Sequence, residues 1–305
     1  MKYSPLFAFI LPLLSQVAAE AHVERDDGQP EDTDPAVLNF ALTLEHLECT
    51  FYHQGLDNFT QEDFESAGFE PWVRGRFQQI SEHEKSHVDF LTTALKAAGA
   101  TPVEPCTYNF PYTDPKSFVE LSAAFETVGS SAYTGAAALI NNKDYLTAAG
   151  TILVVEARHS SWVDSSVERQ NAWSGPYEVP LSPNDVFTIA SNFITSCPES
   201  NPPLPAKANP SLTVSADARP GGQASLTFDY SGSMPAYLSF LTSNGPASSP
   251  ITVDGDEKTA IIPDSVKGTV FAFVTSTNET VSANNTLAGP ALLMYPFNAN
   301  GDLIN

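Results

Sequence analysis

The chain has 305 residues, 42 % of them hydrophobic, enough to bury cores for about two domains. Its 14 Lys and Arg stand against 36 Asp and Glu, a formal net charge of −22. That balance excludes nucleic acid and anionic membrane surfaces as partners, since both would be repelled, and suits a soluble protein or one that attracts cations.

Residues 1–19 read as a signal peptide: Lys2 is the positive end, Leu6–Leu14 the apolar run, and Val17-Ala18-Ala19 the small-residue cleavage site. The run is too short to span a bilayer, which takes about 20 apolar residues. No second long apolar run follows, so no membrane span is expected and the mature protein is expected outside the cell. Residues 20–33 form a flexible acidic segment. Asn58-Phe59-Thr60, Asn278-Glu279-Thr280 and Asn284-Asn285-Thr286 are glycosylation acceptors consistent with secretion.

Residues 34–200 read as helices. Asp34-Pro35 is a helix start, with Asp as cap and Pro at the first position, and this helix runs to about Gln54. The second runs from about Pro71 to Ala98, the third from Pro115, capped by Asp114, to about Ile140, and the fourth from Lys143 to about Gln170. A short fifth helix is expected over Pro183–Thr195 with Ser182 as its cap. Cys106 and Cys197 lie just beyond predicted helices and are the favoured disulfide, whereas Cys49 falls inside a helix as a buried free thiol. Residues 201–210, with Pro202, Pro203, Pro205 and Pro210, read as a stiff linker. Beyond it, Ser211–Ala216, Ala224–Tyr230, Ala236–Thr242, Thr259–Ile262 and Thr269–Thr275 alternate in the manner of strands and predict a small antiparallel sandwich over 211–305. It contains no His and no Cys, hence no evident catalytic cluster.

Core-facing positions of a bundle helix recur at intervals of three and four. In the second helix that stripe is Val73, Phe77, Ile80, Glu84, His87, Leu91, Ala94 and Ala98; in the fourth it is Tyr145, Ala149, Ile152, Glu156, His159, Val163 and Val167. Each carries Glu-x-x-His where apolar residues belong. The third helix places Glu126 mid-stripe between Ser122 and Gly129. On the first helix Glu45 and Glu48 share the apolar arc, and Asn39, Thr43, His46, Thr50 and His53 gather on the opposite face, expected to be wet. Glu45 precedes Tyr52 by seven residues and Glu126 precedes Tyr133 by seven, so the two halves share one plan. The repeat selects Glu45 over Glu48, whose counterpart is Gly129. Glu82, His53 and His83 fall off the stripes and are assigned to the surface with His46.

One Glu-x-x-His is common on solvated helix faces. Four acids and two imidazoles on four core stripes are another matter, because ionised carboxylates buried without a partner are very costly. No Lys or Arg lies on the stripes, and Arg158 is the nearest cation. Two divalent metals would supply the missing positive charge. Carboxylates with one imidazole per metal suit Fe or Mn, and Zn less well. Glu45, Glu84, His87, Glu126, Glu156 and His159 are the candidate ligands, and Tyr52 and Tyr133 candidate donors to them or ordinary core aromatics.

The segments Glu84-Lys-Ser-His87-Val-Asp-Phe-Leu and Glu156-Ala-Arg-His159-Ser-Ser-Trp resemble the second- and fourth-helix motifs of bacterioferritins, and the Glu-then-Tyr spacing is similar to that of rubrerythrins. Leu44–Tyr52 and Glu126–Ile140 resemble the fungal secreted stress-response and plant desiccation-related ferritin-like proteins. The resemblance covers about residues 34–200. It implies a mainly α fold, a ferritin-like four-helix bundle with a short fifth helix followed by an all-β sandwich, with the six ligands above and Glu84 and Glu156 as the bridging pair. The long sequon-bearing connection after the first helix and the appended β domain speak against a 24-subunit storage cage. The function expected is oxidation of ferrous iron or removal of peroxide, with dioxygen, peroxide or metal ions as partners. A rival reading is a non-catalytic structural protein associated with the cell wall, binding metal for stability or not at all.

Overall fold

Helix start signals and stripe periodicity set out the first part of the protein, seen here in a computed structural model that describes residues 33–229 and 236–304. The signal-peptide reading and the acidic segment up to residue 32 lie outside the described residues. Helix α1 (Asp34–Asn58) is followed by a short α2 (Gln61–Ser66), then α3 (Val73–Ala97), α4 (Pro115–Ala136), α5 (Lys143–Trp162) and α6 (Pro183–Ala190). Asp114 with Ser117, and Ser182 with Asp185, form reciprocal capping boxes that start α4 and α6. Asp34 does not cap its own helix. Its carboxylate accepts the N–H groups of Asn141 (2.7 Å) and Asn142 (2.8 Å), tying the start of α1 to the α4–α5 connection. The α2 turn, unread in sequence, has its own capping box in Thr60 and Asp63.

Three helices end sooner than their periodicity implies, the first being α4, which stops at Ala136 and passes into a 3-10 turn at Ala137–Leu139. α5 passes into a π-helical turn at Val163–Val167. The fifth helix stops at Ala190 instead of Thr195, because strand β2 (Ile194–Ser196) pairs with β1 (Thr107–Tyr108). Beside that ribbon Cys106 and Cys197 form a disulfide, and Cys49 is a half-buried free thiol.

α1, α3, α4 and α5 make the bundle. One end is plugged by aromatics, with Phe51 stacked on Phe118 (4.8 Å) and Tyr52, Phe64, Phe77 and Phe125 around them. Toward the other end Leu38, Leu42, Leu91, Leu95 and Val103 close the α1–α3 side. The face of α1 expected to be wet is covered. Asn39 Nδ2 donates to Thr101 O (3.0 Å), Asn39 Oδ1 accepts from Val103 N (2.8 Å), and His46 Nε2 donates to Val103 O (3.1 Å). Asn39 and Thr43 are buried and His46 half-buried, while His53 is exposed beside Asp57. A polar stripe there serves an extended chain's backbone groups, which need partners as much as water would.

The C-terminal part holds two four-stranded antiparallel sheets. Strands are β3 (Leu212–Val214), β4 (Gln223–Phe228), β5 (Tyr237–Leu241), β6 (Ala247–Pro250), β7 (Thr252–Asp254), β8 (Glu257–Ile261), β9 (Gly268–Thr275) and β10 (Thr286–Tyr295). The sheet orders are β10-β9-β5-β6 and β3-β4-β8-β7. β6, β7 and β10 had no clear signal; β10 has register shifts on both sides of Ala288 and a proline at 290, which break its alternation.

β9 is buried along its whole length. Val270, Ala272 and Val274 enter the sandwich core, while Phe271 and Phe273 point the other way, against Phe40, Val128, Leu181, Val186 and Ile189 of the helical part. The Pro-rich stretch lies along α6: Lys207 N donates to Asn184 Oδ1 (2.8 Å) and Asn209 N to Thr188 Oγ1 (2.8 Å). The described residues accordingly belong to one compact unit. Among the described residues no helix is long and apolar enough to cross a membrane.

Candidate metal centre

Helix periodicity brings six polar side chains to one level of the bundle. Glu45 comes from α1, Glu84 and His87 from α3, Glu126 from α4, and Glu156 and His159 from α5. The four carboxylates expose 1 % of their surface or less, and both histidines are buried. Two groups of four donors converge, each with its atoms within 4.8 Å of one another: Glu45, Glu84, His87 and Glu156, and Glu84, Glu126, Glu156 and His159. Glu84 and Glu156 belong to both.

The twofold plan is carried into the hydrogen bonds. Tyr52 of α1 donates its hydroxyl to Glu126 Oε1 on α4, and Tyr133 of α4 donates to Glu45 Oε1 on α1. Burial and the facing carboxylates hold both phenols far above their ordinary range, so they keep their protons and act as donors. His87 Nδ1 lies 3.2 Å from Glu45, 3.1 Å from Glu84 and 3.3 Å from Glu156. His159 Nδ1 lies 3.0 Å from Glu126 and 3.3 Å from Glu84.

The electrostatics are those of too many acids in too little water. Burial and the neighbouring Glu156 push Glu84 up to about 7; burial and Glu126 push Glu156 up to about 8. Burial also raises Glu126. Burial alone would lower the imidazoles, yet Glu126 and Glu84 hold His159 up to about 10, and Glu156, Glu45 and Glu84 hold His87 above its ordinary value. Arg158 points to the exposed surface. Even so, Glu156 Oε2 has no hydrogen-bond partner, and Glu84 Oε1 and Glu156 Oε1 meet only an imidazole Nδ1 at 3.3 Å, outside good hydrogen-bond geometry. Fully buried carboxylate oxygens without partners are costly, and they are the two shared carboxylates. This donor set fits divalent cations, which would satisfy the orphaned oxygens and the net charge together.

Two residues outside the candidate ligand set belong to these surroundings. Glu48 is buried, and its carboxyl is held well above the ordinary range by burial and by Glu156. It lies outside both four-donor groups. His83 is exposed, as expected, yet its Nδ1 lies 3.0 Å from His159 Nε2, with the two ring planes 8° from parallel. The sequence pattern hides it because it sits beside Glu84, one position off the stripe, and reaches the site around the helix edge.

Gly129 makes room for this crowd. A Cβ there would lie 2.8 Å from Glu156 Oε2 and 3.1 Å from Glu48 Oε1. We expect Gly129→Ala to lower metal-free stability, because overpacking costs about 1–3 kcal/mol against a helix-propensity gain of about 1 kcal/mol. The same change should displace the Glu156 carboxylate and weaken metal binding about tenfold or more, the scale seen when a ligand's support is disturbed. Thermal melts with and without Mn2+ measure both; equal metal affinity in the two proteins would show that the crowding is unimportant.

Three similarities to known proteins are found. The family described as Ferritin-like domain matches residues 33–169. Protein rds1 of Schizosaccharomyces pombe (strain 972) is 23 % identical over 200 residues, covering 62 % of this chain and 48 % of that protein, so the chain spans about half the length of this relative. A solved structure, that of the conserved hypothetical protein rv2844 from Mycobacterium tuberculosis, aligns with a TM-score of 0.37 at 20 % identity over 44 % of this chain and 97 % of that one. Residues 33–169, whose four long helices present buried acids and histidines to one centre, match the ferritin-like domain family.

Proposed function

We propose that the centre holds two divalent ions, Fe or Mn, and that the protein is a secreted oxidoreductase acting on ferrous iron, dioxygen or peroxide. The observation that carries this reading is the pair of four-donor groups sharing the orphaned carboxylates Glu84 and Glu156. Glu45, Glu84, His87 and Glu156 would hold one ion, and Glu84, Glu126, Glu156 and His159 the other. Such a pair of ions supplies one-electron redox chemistry at two adjacent positions. The protein's own groups hold and orient: Tyr133 and Tyr52 fix the carboxylates of Glu45 and Glu126, and the aromatic and aliphatic plugs limit water. Secretion is supported by the leader-like residues 1–19 and by sequon asparagines Asn58, Asn278 and Asn284, all exposed.

Metal analysis of the purified full chain tests the reading. Two Fe or Mn per chain are expected, with both lost in Glu84→Ala, together with ferrous-oxidising or peroxide-removing activity. No metal uptake from an excess of Fe2+ or Mn2+ would remove the centre. Two ions without activity on either substrate would leave the structural, wall-associated reading in its place.

A further inference from the structure

When a histidine binds a metal through one ring nitrogen, its proton sits on the other, and whatever accepts that proton fixes the tautomer and the ring's direction. His87 and His159 both turn Nδ1 toward the carboxylates. Their Nε2 atoms differ. His159 Nε2 lies 3.0 Å from His83 Nδ1, with the rings 5.2 Å apart and 8° from parallel. With the Nδ1 lone pair of His159 directed at a metal, its Nε2–H donates to His83 Nδ1. Among the described residues no protein group hydrogen-bonds Nε2 of His87. The internal repeat contains the same asymmetry: His83 immediately precedes Glu84, and at the matching place before Glu156 stands Val155, which offers no acceptor.

We infer that His83 is a positioning residue for His159, and that it makes the metal position built on Glu84, Glu126, Glu156 and His159 the tighter of the two. The inference rests on the two-metal reading above. The symmetric ligand set then becomes an unequal pair. One ion is resident, on the side where both ring nitrogens of the histidine are engaged. The other, at Glu45, Glu84, His87 and Glu156, is the exchangeable one. A centre of this kind fills in order and releases one ion without losing the other.

A plain packing role makes a different prediction, since a ring held only by contact would be replaceable by Phe. His83→Phe keeps a ring and removes the acceptor. His83→Asn removes the ring and keeps an acceptor, because the Asn Oδ1 takes the place of Nδ1. The full chain, stripped with a chelator, is titrated with Mn2+ while free Mn2+ is followed by electron paramagnetic resonance. The wild type is expected to bind in two steps at least about tenfold apart, as the support of a ligand histidine is worth about 10- to 100-fold in metal affinity. In His83→Phe the tight step weakens by that factor and merges with the second, which does not move. In His83→Asn the tight step returns to within about threefold of wild type, inside the same range of effects. His83→Phe titrating as wild type, His83→Asn as weak as His83→Phe, or two equal steps in the wild type would each overturn the assignment while leaving a two-metal centre standing. A wild-type chain that binds no Mn2+ removes that centre and the assignment together. Because His83 is exposed, the metal-free proteins should melt alike. A metal-free His83→Phe that melts well below wild type would assign His83 to packing and overturn the inference.

Discussion

Stripped of metal, the protein is expected to lose stability as pH rises from about 5 to about 9, and two equivalents of Mn2+ or Fe2+ are expected to offset that loss. The sign follows from the buried groups. Glu84 and Glu156 titrate near 7 and 8 in the folded chain, against 4.5 ordinarily, and His159 near 10 against 6.5. All three are raised, so the folded state binds more protons than the unfolded state throughout this window. Their contribution is complete below the ordinary values and is lost as pH rises through the folded ones. Metal replaces those protons, so its binding strengthens with pH and releases protons. At free metal about 100 times Kd, each site adds about 2.7 kcal/mol. Two sites would raise Tm by about 8–9 °C for a chain of this size. Calorimetric melts at pH 5, 7 and 9, with chelator and with Mn2+, decide the matter. A metal-free stability that climbs from pH 5 to 9, or a Tm indifferent to metal at every pH, would contradict the charge arrangement described here.

Phe273→Ala should be the most damaging single change outside the centre. Phe273 is fully buried and, with Phe271, seats the outer face of β9 on Phe40, Val128 and α6. Removing a buried Phe side chain costs about 3–5 kcal/mol through lost burial and the cavity left behind. The effect should also be qualitative. These two rings join the sandwich to the bundle, so the variant is expected to unfold in two resolved steps where the wild type unfolds in one. Denaturant melts read by far-UV circular dichroism and tyrosine fluorescence would show it. A loss below about 1 kcal/mol, the scale of an ordinary surface change, would mean that the contact contributes little.

Much of this protein can be read from the order of its residues. Asp114-Pro115 and Ser182-Pro183 start helices because a cap and a fixed φ act locally. The α3 stripe through Val73, Phe77, Ile80, Glu84, His87 and Leu91 is buried as its period requires, though it ends on Leu95 and not Ala94, since a straight helix drifts from a strict seven-residue repeat. The same period, applied to four helices, places Glu45, Glu84, His87, Glu126, Glu156 and His159 at one level, and the doubled Glu-to-Tyr spacing foreshadows the crossed Tyr52–Glu126 and Tyr133–Glu45 bonds.

Other features answer to no local rule. The polar face of α1 looks wet until residues 101–103, far along the chain, lay their backbone on Asn39 and His46. The alternation of β9 cannot say that both of its faces are covered, because the second cover is the bundle itself. Glu48 and Gly129 are repeat partners on paper, yet only packing shows that the missing side chain of one leaves room for the carboxylate of the other. His83 lies one residue off its stripe, and only the approach of α5 sets its nitrogen against His159. The sequence by itself determined which residues face the axis of each helix, because that depends on a period of 3.6 residues and on nothing distant. Which of the remaining residues join the site was decided by tertiary structure alone, because it depends on distances between helices that no single helix encodes.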